Sequence, residues 1–199
     1  MAYLAFWFVL GVIIGVAHAE PRASLPYRNT VIREARFAYG LDAPVAMFAG
    51  QIEQESAWRP KVCSAYACGL TQFTPATARD IDARHNMGGA DVLNPSWAIR
   101  ALMFYDHDLY NSLTAAENCD RWAFTLSAYN GGMGNLLKDK ALCARANGCN
   151  PNRWWRHVEL HSGRRADFFR ENRGYPEAIL HKRQFGYAGW GRTISCPSS

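Results

Sequence analysis

The 199-residue chain carries no charged side chain before Glu20. It has no C-x-x-C pair, no basic run longer than Arg164-Arg165 or Lys182-Arg183, no internal repeat and no low-complexity linker. The missing C-x-x-C spacing speaks against a cysteine-rich zinc module. Without a basic block, a nucleic-acid role rests on net charge alone, and none is expected. No repeat means no solenoid and no repeat-built binding array. Past the N-terminal segment, no apolar run is long enough to span a bilayer.

Hydrophobic residues make up 49% and charged residues 20%, a globular balance in a length that suits one domain. The formal charge of +5 favours an anionic partner without naming it. Aromatics reach 13%, enough for either a core or a sugar-binding cleft.

Ala2 to Val16 is almost continuously apolar, and Ala17-His18-Ala19 matches the A-x-A pattern of a signal-peptidase site. Residues 1–19 are therefore expected to be a secretory signal cleaved after Ala19, and residues 20–199 the mature domain. Uncut, residues 2–17 would act as a short membrane anchor. An exported, periplasmic or extracellular protein follows from either form. Six cysteines agree with an oxidising compartment: Cys63, Cys68, Cys119, Cys143, Cys149 and Cys196. They allow fifteen complete pairings. The pairing expected here closes two short loops, Cys63–Cys68 and Cys143–Cys149, and ties the tail through Cys119–Cys196.

Apolar spacing predicts helices over about 27–39, 43–56, 95–113, 119–129, 133–146 and 174–184, with another starting at Thr74-Pro75. Asp42 is the expected N-cap of the second, and Pro60 its stop. Residues 61–69 read as a loop or short hairpin. The whole reads as one mainly helical domain.

Three clusters carry chemistry. Glu55-Ser56-Ala57-Trp58-Arg59-Pro60 puts a carboxyl in the last turn of an apolar helix, where desolvation can hold it protonated for general-acid work. Gly69-Leu70-Thr71-Gln72-Phe73-Thr74-Pro75-Ala76-Thr77-Ala78 begins 14 residues later, and Gln72 offers both donor and acceptor to a sugar. Ala128-Tyr129-Asn130-Gly131-Gly132 sets a phenol and an amide beside a turn. A separate pattern, His157-Val158-Glu159-Leu160-His161, would put two His on one side of a strand and allow a metal. A polar surface is the preferred reading there, with no metal and no cofactor expected.

The order E-S-x-W-x-P, G-L-x-Q-F-x-P-x-T-A, A-Y-N-x-G, then Arg170-Glu171-Asn172-Arg173-Gly174-Tyr175, resembles the soluble, goose-lysozyme-like lytic transglycosylases (the SLT domain) over about residues 43 to 183. The resemblance implies a mainly α fold of the α+β lysozyme-like superfamily. Its helical bundle would surround a glycan-binding cleft, with at most a short β-hairpin. It implies that Glu55 is the catalytic acid/base and that Ser64, Gln72, Thr74, Tyr129 and Asn130 meet the glycan. Glu171 and Tyr175 would close the cleft. The Ser64–Gly69 loop is one residue shorter than in many members, with Cys63 and Cys68 flanking it. Thr71 and Thr74 stand where Met is frequent, which implies a more polar cleft floor, and Asn172 replaces the usual Thr.

Glycosidases usually need two carboxyl groups. Glu53, Asp80, Asp82 and Glu171 are the candidates, and none reads as a second catalytic group. The resemblance implies a reaction that needs one: cleavage between N-acetylmuramic acid and N-acetylglucosamine with 1,6-anhydro ring closure. Peptidoglycan strands are the expected partner of a monomeric enzyme, in phage lysis or entry or in a bacterial export apparatus. A hydrolytic muramidase and an inactive peptidoglycan-binding protein are the alternatives.

Overall fold

The computed structural model describes residues 20–197; the expected signal or anchor at 1–19 lies outside them. Seven α-helices follow in order: α1 (Arg28–Tyr39), α2 (Val45–Ser56), α3 (Pro75–His85), α4 (Pro95–Asn111), α5 (Asn118–Gly131), α6 (Met133–Arg145) and α7 (Ala166–His181). Short 3-10 segments cover Arg22–Tyr27, Val158–Leu160 and Arg183–Trp190. Among the described residues the only β features are isolated bridges, Cys63 with Cys68 and Cys68 with Phe73. No helix of the described residues is long and apolar enough to cross a membrane.

Helix α2 is buried on all sides from Val45 to Ile52, as a helix apolar all round must be. It packs against α1, α7 and the C-terminal 3-10 segment, which encloses its outer face. Helix α5 is the second buried element, continuously so from Trp122 to Ala128, and meets α4, α6 and α7. Leu102 and Ile99 of α4, Phe48 and Ile52 of α2 and Phe124 and Leu126 of α5 are fully inaccessible, so one core runs through the bundle.

The disulfides are Cys63–Cys68, Cys119–Cys196 and Cys143–Cys149, the pairing expected from the sequence. Thr74 and Asn94 cap α3 and α4, each accepting from the backbone of the first turn.

Three expectations are corrected. Asp42 does not cap α2, because the helix starts at Val45 and Pro44 holds the N-cap position without a side-chain bond. Pro60 does not stop that helix. The chain leaves it at Ala57 and Trp58, both left-handed at φ 50° and 64°. Two such residues in succession cost about 1–3 kcal/mol each. The burial of Trp58 holds them there: its Nε1 donates to Tyr187 Oη at 2.6 Å, and its ring stacks on Tyr27. Helix α7 begins at Ala166, eight residues before the expected start at 174. Gly174 and Pro176 read as a boundary, but Tyr175 and Pro176 are buried in the packed bundle, and packing overrides local propensity. The less favoured strand reading of residues 157–161 also falls: Val158–Leu160 is a 3-10 turn, so His157 and His161 do not share a strand face.

Candidate active site

A cleft of about 450 Å³ opens where α2, α5 and α7 meet the disulfide-closed loop, within the size range of ligand sites. Glu55 and Gln54 of α2 line it. So do Ser64, Tyr66, Ala67, Gln72, Phe73 and Thr74 from the loop and the entry to α3. Thr77, Tyr105, Tyr129, Asn130, Glu171 and Tyr175 complete it. All eight residues singled out for catalysis or substrate contact therefore border one cavity.

Glu55 is half-buried, and Tyr175 donates its phenolic O–H to Glu55 Oε1. Desolvation pushes the Glu55 carboxyl up to about 8; the Tyr175 hydrogen bond opposes this and the Glu171 charge adds to it. At neutral pH the group holds a proton it can donate. Burial also pushes the Tyr129 and Tyr175 phenols well above their ordinary value, so both stay donors. Their rings lie parallel, with centroids 6.3 Å apart, and Tyr129 Oη donates to the Thr71 carbonyl at 2.7 Å.

Asn130 is fixed from behind. Asn172 Nδ2 donates to Asn130 Oδ1 at 3.0 Å and to the Ser127 carbonyl at 2.9 Å. Asn172 Oδ1 accepts from Ser127 Oγ and from Arg173. Arg173 and Arg164 both pair with the buried Asp139 at 2.9 Å. A Cβ on Gly131 would fall 2.3 Å from Arg164 Nη1 and 2.7 Å from Asn172 Nδ2, so a side chain there would displace the groups that brace Asn130. The Asn at position 172 is thus the hub of the network behind the A-Y-N motif.

The loop is knitted by its own polar groups. Gln72 Nε2 donates to the carbonyls of Val62 and Gly69, at 3.0 and 2.8 Å. Ser64 Oγ accepts from the backbone N–H of Tyr66 and Ala67. Thr74 Oγ1 accepts from Thr77 N–H and bonds to the Thr77 hydroxyl at 2.9 Å. Ser64, Gln72 and Thr74 border the cleft but use much of their capacity to shape it. Thr71 departs from the expected polar floor: its side chain is buried outside the cleft. Gly69, at φ 84°, lies against Val92, whose carbonyl oxygen would stand 1.9 Å from an added Cβ.

The other carboxyls separate by position. Glu53 faces Arg183 at 2.8 Å and accepts from Tyr187. Asp80 pairs with Arg84, and Asp82 accepts from Gly89 N–H. Glu171 alone of the four candidates borders the cleft. Asp106 escaped the sequence reading. It is fully buried on α4, and burial holds its carboxyl well above the ordinary range, with Gln51 partly offsetting this. Enclosed in the core, it does not line the cleft. As a cleft residue, Tyr105 also escaped the sequence reading; its place four residues after Ala101 was the available signal. Tyr66 had no spacing signal at all.

No cluster of metal ligands lines the cleft among the described residues. Cys143, Cys149 and His161 lie close together, but the two sulfurs are bonded to each other. His157 Nδ1 accepts from Asn150 N–H.

A half-buried carboxyl with a raised pKa at a cleft in a helical bundle, with two tyrosines and an amide beside it, forms a candidate general-acid site. The family model of the transglycosylase SLT domain matches residues 30–148, and the chain belongs to this family. It is 33% identical over 149 residues to a membrane-bound lytic murein transglycosylase F of Stutzerimonas stutzeri, covering 73% of this chain and 29% of that protein. A protein of the same name from Yersinia pestis (strain Pestoides F) is 36% identical over 104 residues, 51% of this chain and 20% of its own length. The chain thus spans under a third of these relatives. Its fold is similar to that of the 70 kDa soluble lytic transglycosylase of Escherichia coli, with a TM-score of 0.57 at 23% identity, over 83% of this chain and 25% of that one. The structure of a 70 kDa soluble lytic transglycosylase with bulgecin A gives 0.61 at 24% identity, covering 86% of this chain and 26% of that one.

Proposed function

We propose that this chain is a peptidoglycan lytic transglycosylase with Glu55 as its single acid and base. The observation that carries this is the Glu55 carboxyl, pushed up to about 8 at the cleft and hydrogen-bonded by Tyr175. Glu55 protonates the glycosidic oxygen leaving N-acetylmuramic acid. The substrate's own acetamido oxygen stabilises the developing cation. The Glu55 carboxylate then takes the proton from the muramyl 6-hydroxyl, which closes the 1,6-anhydro ring, and the acid is restored. Asn130 and Gln72 orient the glycan, Tyr175 aims the carboxyl, and Ser64, Thr74 and Tyr129 shape the wall.

A hydrolytic muramidase is the second reading, because Glu171 borders the same cleft and could serve as a base for water. Glu171 is solvent-exposed, whereas Glu55 is held by a defined partner, and this favours the one-carboxylate route. Three disulfides and the apolar N-terminus support export to the periplasm or beyond, with local wall degradation in phage lysis or entry or beside an export apparatus. A zymogram on purified cell wall tests the activity. A clearing band is expected for the native chain and none for Glu55→Gln; clearing by both removes Glu55 from the mechanism.

A further inference from the structure

Tyr66 lies on the loop closed by Cys63–Cys68 and is 81% exposed, yet it borders the same cleft as Glu55. The other cleft aromatics bury their faces on one another: Phe73 meets Tyr105 and Tyr129, and Tyr105 meets Tyr129. Tyr66 keeps its ring in solvent. Its backbone is not free to move with it. The disulfide closes the loop, Ser64 N–H donates to the Ala67 carbonyl at 2.8 Å, and Ser64 Oγ holds the Tyr66 N–H at 3.2 Å. Gln72 ties the loop's base through Val62 and Gly69.

A large apolar ring left exposed on a rigid loop at a cleft mouth is suited to a flat apolar ligand face. A hexosamine ring has such a face, made of C–H groups with the hydroxyls at its rim. Tyrosine matches it with a flat ring, a polar tip and few rotatable bonds to immobilise. We propose that Tyr66 is a sugar platform that stacks on an N-acetylhexosamine of the bound glycan strand, and that the Cys63–Cys68 disulfide fixes the platform in place. A loop already ordered before binding loses less entropy when the strand arrives. The inference rests on the peptidoglycan reading above.

The test uses the full chain carrying Glu55→Gln, so that glycan is bound and not consumed. Binding of a soluble tetrasaccharide of alternating N-acetylglucosamine and N-acetylmuramic acid is measured by calorimetry. Adding Tyr66→Ala should weaken binding up to about tenfold, the range of an aromatic stacking contact. Tyr66→Phe and Tyr66→Trp should stay within about twofold, because the ring face remains. Paired Cys63→Ser and Cys68→Ser substitutions should also weaken binding several-fold, with the helical circular dichroism retained. Unchanged affinity in Tyr66→Ala overturns the platform. A loss in Tyr66→Phe equal to that in Tyr66→Ala overturns stacking, since the hydroxyl would then carry the contact. Unchanged affinity in the serine pair overturns the role of the disulfide. Failure of the Glu55→Gln chain to bind with Tyr66 intact overturns the peptidoglycan reading, and the platform with it.

Discussion

Glu55→Gln should change stability in a pH-dependent way, and the sign follows from burial. In the native chain the Glu55 carboxyl titrates near 8, against an ordinary value of 4.5 when the chain is unfolded. Between those limits the native state holds a proton that the unfolded state has released. Stability contributed by the protonated group is fully present below about 4.5 and is lost as pH rises through about 8. At 1.36 kcal/mol per pH step the loss approaches about 5 kcal/mol; partial exposure of the carboxyl to cleft water brings the expectation to roughly 3 kcal/mol. Glutamine fills the same space without titrating, and its carbonyl can still accept from Tyr175. The variant should therefore match the native chain at pH 4 and exceed it at pH 9, by about 5–10 °C in melting temperature for a chain of this length. Thermal melts of both proteins across that range, with disulfides intact, check this. A difference that stays constant with pH would refute the argument that burial holds Glu55 protonated.

Further outcomes follow from the supports around it. Tyr175→Phe removes the bond that favours the Glu55 carboxylate, so the alkaline limb of kcat/KM should move up by about one pH step while kcat falls, as read from a pH–rate profile. Gly131→Ala drives a methyl into Arg164 and Asn172, and should cost about 1–3 kcal/mol in urea unfolding, with activity lost ahead of the fold. Asp139→Ala leaves Arg164 and Arg173 unpaired and largely buried, and should destabilise by about 3–5 kcal/mol in the same assay. Opening Cys119–Cys196, whose partners are 77 residues apart, should cost about 4 kcal/mol by loop entropy, against about 2 kcal/mol for the five-residue separation of Cys63–Cys68.

What the sequence revealed about this site depended on how local each signal was. Glu55 could be placed in the last turn of an apolar helix because α2 shows its pattern within one segment. The start of α3 at Thr74-Pro75 was legible because a cap and its first turn are neighbours in the chain. Asn172 was not legible as a hub: its partners Ser127 and Asn130 lie more than 40 residues away. Helix α7 was shortened in the sequence reading because Gly174 and Pro176 signal a break that packing of Tyr175 overrules. Asp106 was invisible because an Asp at an apolar stripe position reads as surface until burial is known. Gln72, Ser64 and Thr74 were expected to face the sugar, and the structure shows that their amide and hydroxyls also build the loop that borders it.

Mass spectrometry of the ends released from intact sacculi tests the central claim most directly, with Glu55→Gln as control. One acid acting in turn as base should yield 1,6-anhydromuramic ends from the native chain and none from the variant. Reducing muramic ends released by the native chain would contradict this and assign the second step to water, with Glu171 as the group to test next.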